Sequence, residues 1–348
     1  MLKLLLVFSF FTQAVLAVVT FKNPLKNPDG SDPFIVYDSG YYYLTTTTWN
    51  NVQITRATTL AGLKTAKPTV VYSTSTSSRC CNVWAPEIHK VNGIWYIYYT
   101  AGLSGSDLGG QRAHVLQGVA ANPNGPYSYK GQLAPSNNPN AWVIDGTVLT
   151  INGANYFVFS AFSPRNLQSL YIAPMTNAYT IGAMSLLSEP TQSWETVDTP
   201  VNEGPAALYS GSRVWLAYSA SFCKLDVGIF DWSPGMERWQ PTYPVLLGQV
   251  RPVFSSANGL YGTAHNGFFK SPDGKETWVV YHASATNPAK CDGSRITMAQ
   301  NFFSHSSIAD LYPPFFWEIF SSFGTTGAPS FGSPRNLNDN VPVPSGES

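Results

Sequence analysis

The chain has 348 residues, with 20 Lys+Arg balanced by 20 Asp+Glu and charged residues at only 11%. Zero net charge argues against a nucleic-acid or anionic-membrane partner, which would need a basic face. Hydrophobic residues at 44% support a large core and exclude disorder for most of the chain; aromatics at 14% are abundant, as on sugar-facing or interface surfaces.

Residues 1–17 read as an address. Lys3 precedes an apolar run from Leu4 to Phe11, and Val15-Leu16-Ala17 offers small residues at a cleavage site. The run breaks at Thr12-Gln13 and is too short to span a bilayer comfortably. A signal peptide and a secreted, extracellular protein are expected. Secretion places Cys80, Cys81, Cys223 and Cys291 in an oxidising compartment. Four cysteines allow three pairings; an adjacent Cys80–Cys81 bridge with Cys223–Cys291 is favoured over the two that tie the adjacent pair to the distant residues. No paired Cys/His spacing suits zinc, and no Asn-x-Ser/Thr acceptor for N-glycosylation occurs.

From Asp32 onward one pattern recurs five times: a short apolar run, a turn carrying Gly, and an aromatic β-rich run. The turn glycines are Gly40, Gly93, Gly153, Gly211 and Gly274. Ser-Gly, Asn-Gly and Asp-Gly between apolar runs signal hairpins, because Gly supplies the positive φ they require. The second strands resemble one another, as in Tyr156-Phe-Val-Phe-Ser-Ala, Trp215-Leu-Ala-Tyr-Ser-Ala and Trp278-Val-Val-Tyr-His-Ala. A repeat of this length with three or four strands predicts an all-β, five-bladed β-propeller. The expected organisation is a propeller over residues 18–335, with an atypical apolar insertion at 303–323 and a mobile C-terminal tail at 336–348.

Eight residues before each turn glycine stand Asp32, Ala85, Asp145, Glu203 and Asn266, with His265 one step ahead of the last. In a propeller these are equivalent points on the innermost strands and form a ring round the axis. Three carboxylates around one channel mouth split their proton affinities by mutual repulsion. A high-affinity acid beside an ionised base is what glycoside hydrolysis needs.

The motifs Ser31-Asp32-Pro33, Trp84-Ala85-Pro86-Glu87, Ile144-Asp145-Gly146 and Asn202-Glu203-Gly204-Pro205 resemble those of glycoside hydrolase family 43. That resemblance implies a five-bladed propeller and an inverting enzyme acting on arabinofuranosyl or xylosyl linkages of plant cell walls. It implies Asp32 as general base, Glu203 as general acid, and Asp145 as the group that holds the acid's pKa and orients the sugar. Trp84 would wall the substrate site; His265 and Arg295 would face the axis or the sugar. His265 could touch a structural Ca²⁺ or a water cluster in the channel, although no cofactor is required. Glu87, out of phase with the ring, is expected to make structural contacts. The wording of the motifs is most similar to exo-acting α-L-arabinofuranosidases that release L-arabinose from α-1,5-arabinan. β-Xylosidase and endo-arabinanase activity stay open, as does a non-catalytic carbohydrate-binding propeller (lectin). The expected partners are arabinan or arabinoxylan oligosaccharides, with neither nucleic acid nor membrane, and the protein is expected to be a monomer.

Overall fold

The computed structural model describes residues 18–105, 108–119, 121–210, 213–222, 226–232, 252–302 and 331–347. The signal-peptide reading (1–17), the insertion (303–323), Gly211 and Cys223 lie outside the described residues. The architecture is all-β and propeller-like, and the helical elements among the described residues are single 3₁₀ turns.

A short strand β1 (Thr20–Phe21) leads into the first sheet, β2 (Phe34–Asp38), β3 (Tyr41–Thr45), β4 (Val52–Ala57) and β5 (Thr69–Tyr72). The second sheet is β6 (Cys81–Val91), β7 (Ile94–Gly102), β8 (Arg112–Gln117) and β9 (Ser128–Gln132). The third holds β10 (Ile144–Ile151), β11 (Ala154–Phe162), β12 (Gln168–Asn177), β13 (Thr180–Ile181) and β14 (Ser185–Ser188). The fourth is β15 (Asn202–Ser210), β16 (Arg213–Ala220) and β17 (Asp226–Trp232); the fifth is β18 (Tyr261–Lys270), β19 (Thr277–Ser284) and β20 (Ile296–Phe302). Each is an antiparallel meander, except that β14 of the third sheet pairs with β12.

The turn chemistry explains the hairpins. Ser39-Gly40, Asn92-Gly93 and Asn152-Gly153 form two-residue loops in which both residues have positive φ, 50° and 84°, 50° and 80°, 49° and 77°. These are type I′ turns, whose twist matches that of the strands they join. The fifth hairpin differs: its last pair is Lys270 with Thr277, leaving a longer loop around Gly274.

The middle strands are apolar on both faces because each sheet is covered twice. Tyr43, Ile54, Ile88 and Ile97 bury the first sheet against the second, and Tyr98, Val115, Phe157 and Tyr171 the second against the third. Leu149, Leu170, Leu216 and Tyr218 join the third to the fourth, and Leu208, Trp215, Tyr281 and Met298 the fourth to the fifth. Ile35, Tyr42, Phe269 and Trp278 then join the fifth back to the first. The first strands β2, β6, β10, β15 and β18 touch in the same cyclic order. Residues from all five of them, including Phe34, His89, Thr147, Ala206 and Phe268, line a cavity of about 320 Å³.

The C-terminal segment corrects an expectation. In place of a mobile tail, β21 (Val341–Pro342) pairs with β1, and Val341 is buried in the core between the fifth and first sheets. Ser345 donates its N–H to Glu276 Oε2 at 2.9 Å, and Glu347 Oε2 accepts the Leu60 N–H at 2.8 Å. Val343 also packs against that core and donates its N–H to the Val19 carbonyl at 3.1 Å.

Gly146 gives a sharp test of how tightly the first strands sit. A Cβ at this position would lie 1.9 Å from the Phe157 ring. Gly146→Ala is therefore expected to destabilise the protein by roughly 1–3 kcal/mol through overpacking. Denaturant titration measures it, and an unchanged midpoint would contradict this packing.

Candidate active site

The ring positions are β-bulges. Register slips between Trp84 and Glu87, Ile144 and Thr147, Glu203 and Ala206, and Ala264 and Gly267. At the bulges Ala85, Asp145, Gly204 and His265 take positive φ (45°, 55°, 54° and 41°), and Asp32 does so at 52° just ahead of β2. A bulge re-aims its side chain, and backbone strain of this kind clusters at functional sites. The fifth position is thus His265 rather than Asn266, and in the fourth sheet the equivalent residue is Gly204, with Glu203 one step ahead of it.

A side chain from the preceding sheet holds each bulge. Thr47 Oγ1 accepts the Ala85 N–H at 2.9 Å, Thr100 Oγ1 the Asp145 N–H at 3.2 Å, and Ser219 Oγ the His265 N–H at 2.7 Å. Ser160 Oγ donates to the Asn202 carbonyl at 2.8 Å. His282 takes the same place between the fifth sheet and the first, with Nδ1 3.2 Å from the Asp32 nitrogen. All five latch residues are buried.

These bulges bring charged groups together. Asp32, 9% exposed, has Oδ1 at 3.2 Å from His282 Nδ1, 3.4 Å from His265 Nδ1 and 3.7 Å from Arg295 Nη1. Its Oδ2 accepts the Thr47 hydroxyl. Burial opposes ionisation of Asp32, but His265, Arg295 and His282 together hold its carboxyl well below the usual carboxylate range. Asp145, also buried, has Oδ2 at 3.7 Å from His265 Nδ1 and accepts the Gly204 N–H at 3.2 Å. Burial, opposed by His265 and reinforced by the charges of Glu203 and Asp32, pushes Asp145 up to about 7.

Glu203 is half-buried, and Gln168 Nε2 donates to its Oε2 at 2.7 Å. Desolvation raises its pKa against the Gln168 hydrogen bond and the His265 charge, with Asp32 adding to the rise. His265 shifts upward: burial favours the neutral ring, but the surrounding carboxylates, Asp145 and Asp32 foremost, outweigh it. The pocket therefore holds one firmly ionised carboxylate, two that bind protons more tightly, and a histidine that favours its cation.

Asp32, Asp145, Glu203, His265 and Arg295 form one electrostatic cluster. Trp84 precedes the bulge at Ala85 and meets Trp49 edge-to-face, with ring centroids 5.9 Å apart. Its Nε1 and both amide atoms of Asn266 are buried without a hydrogen-bond partner. Glu87 pairs with His89 at 2.6 Å and adds its charge to those that raise His265. Thr47, Gln168 and His282 escaped the sequence reading; the signal for two of them was their alignment with Thr100, Ser160 and Ser219 on the second strands.

Ca²⁺ prefers oxygen ligands, whereas His265 offers nitrogen and its Nδ1 faces two carboxylates. Among the described residues no three His, Cys, Asp or Glu are grouped to hold a metal ion. Cys80 and Cys81, at the start of β6, are bridged to each other. Cys291 is also disulfide-bonded; the partner expected from the sequence, Cys223, lies outside the described residues. No helix among the described residues is long and apolar enough to cross a membrane.

Carboxylates of split proton affinity, set at the bulged strands of a propeller-like fold, define an acid–base pocket of the glycoside hydrolase kind. The chain belongs to glycosyl hydrolases family 43, whose family model matches residues 21–304. It is 39% identical over 275 residues to an extracellular exo-alpha-(1->5)-L-arabinofuranosidase of Streptomyces avermitilis, covering 76% of this chain and 56% of that protein. A protein of the same description from Streptomyces chartreusis is 33% identical, over 76% of this chain and 82% of its own length. The chain thus spans little more than half of the first relative. Among solved structures, the α-L-arabinofuranosidase from Lactobacillus brevis superposes with a TM-score of 0.76 at 29% identity, covering 92% of this chain and 98% of that one.

Proposed function

We propose that the protein is a secreted, inverting exo-α-L-arabinofuranosidase that releases L-arabinose from α-1,5-arabinan or arabino-oligosaccharides. The observation that carries this reading is the contrast between Asp32, held ionised by three cationic or donor side chains, and Glu203, whose pKa desolvation raises. The five sheets are the blades of one ring: five cores join consecutive sheets and the last joins the first. Residues 1–17 are its export signal, in keeping with the extracellular relatives.

Asp32 takes a proton from water as the water attacks the anomeric carbon. Glu203 gives its proton to the departing glycosidic oxygen. Asp145, itself of raised proton affinity beside Glu203, fixes the Gly204 bulge next to it. His265 balances Asp32 and Asp145, Arg295 holds Asp32, and Trp84 walls the sugar site. A lectin would need no such division between an ionised and a protonated carboxyl.

The pH dependence follows from the shifts. Rate is lost as pH falls through the depressed pKa of Asp32 and as it rises through the elevated pKa of Glu203. The expected profile is a bell with its plateau on the acidic side of neutral. A kcat/KM profile that keeps rising above pH 8 would contradict the assignment of Glu203. Purified protein incubated with p-nitrophenyl α-L-arabinofuranoside and debranched arabinan tests the activity itself. Arabinose release is expected from both; binding of arabinan without release would support the lectin reading.

A further inference from the structure

We infer that His282 is a positioning residue for the reaction: its neutral ring, protonated on Nδ1, passes the grip of Arg295 to the Asp32 carboxylate. The inference rests on the reading of Asp32 as the base.

Geometry decides the tautomer. Nδ1 lies 3.2 Å from both the backbone nitrogen and Oδ1 of Asp32, so it could accept from the former or donate to the latter. On the other side of the ring, Nε2 lies 3.2 Å from Arg295 Nη1. A guanidinium only donates, so Nε2 accepts and the ring proton belongs on Nδ1, directed at Oδ1. The ring is 1% exposed. Burial and the Arg295 charge, opposed by Asp32, lower its pKa to about 4, which keeps it neutral at working pH. The titratable and charged groups facing it are Arg295, Asp32 and His265, whose ring centroid is 6.2 Å away.

The comparison within the chain isolates what the histidine adds. The equivalent latches on other sheets are Thr47, Thr100, Ser160 and Ser219, whose hydroxyls suffice to hold a bulge. A hydroxyl has no second, opposite nitrogen to receive Arg295. At the joint between the fifth and first sheets, the imidazole occupies the latch position but spends Nδ1–H on the Asp32 carboxylate, with Nε2 left to receive Arg295.

Two measurements test this. In the unsubstituted full chain labelled with ¹⁵N-histidine, His282 should show a pyrrole-type Nδ1 and a pyridine-type Nε2, unchanged between pH 5 and 8. The reverse tautomer or a charged ring would overturn the proposal, and this readout needs no turnover. If the labelled protein shows the expected tautomer but releases no arabinose, the catalytic reading fails and the His282 geometry stands. His282→Ser restores the hydroxyl latch of the other sheets and removes the donor to Oδ1. It should raise the acid-limb pKa of kcat/KM by about one unit, a tenfold change in proton affinity, and lower kcat more than it raises KM. His282→Asn, whose amide N–H replaces Nδ1–H, should bring that limb back toward its original position. A folded His282→Ser with an unmoved acid limb and unchanged kcat would overturn the proposal.

Discussion

Asp32→Asn should lower kcat/KM by about 10³–10⁴-fold, the upper part of the range for a lost general base. The loss should be alike on arabinan and on p-nitrophenyl arabinofuranoside, because every substrate needs an activated water. An amide keeps the shape of the side chain but cannot take the proton. The substitution also removes the anion facing His265, His282 and Arg295. Asp145 loses one of the charges that raise its pKa and should ionise more readily. Because the folded-state pKa of Asp32 is depressed, its ionisation adds stability above the unfolded-state value of about 4, and this is lost as pH falls through the folded-state value. The variant should therefore be less stable than the parent at neutral pH, with the gap closing in acid. Steady-state kinetics with thermal melts at two pH values measure both effects. Activity within tenfold of the parent would remove Asp32 from the role of base.

Glu203→Gln should be selective in its damage. Hydrolysis of arabinan should fall by about 10²–10⁴-fold, since a sugar hydroxyl leaves poorly without a proton. Substrates with acidic phenol leaving groups need little protonation and should lose far less. The alkaline limb of the pH profile should disappear on those substrates, because the group that titrates there is gone. Equal losses on both kinds of substrate would assign Glu203 a role other than proton donor. Gln168 offers a milder version: its amide favours ionised Glu203, so Gln168→Leu should raise the alkaline-limb pKa.

The ring of candidate residues is legible because four hairpins close with the same two-residue spacing. Where Gly is the second of the two, a fixed count back falls on the positive-φ residue, as at Asp32, Ala85 and Asp145; Gly211 follows Ser210 directly, and there the count falls on Glu203, one residue before Gly204. The count slipped by one in the fifth sheet, where the hairpin closes at Lys270 and Thr277 with a longer loop. Repulsion between Asp145 and Glu203 was expected as the reason for a raised acid pKa. Desolvation proves the larger cause for both residues, and burial is not a property of residue spacing. Thr47 and His282 were hidden for another reason. Their roles depend on contacts between sheets far apart in sequence, and only comparison of the second strands hints at them. The docked C-terminal segment was misread because Pro/Ser composition says nothing about a partner strand near residue 20.

The central claim is an acid and a base acting on opposite faces of the sugar, with no covalent intermediate. Proton NMR of the first arabinose released from debranched arabinan, recorded before mutarotation, tests it directly. The account predicts that the anomeric signal of the first-formed sugar is β, inverted from the α linkage. A first product with the α configuration would make Asp32 a nucleophile rather than a base and would contradict the account.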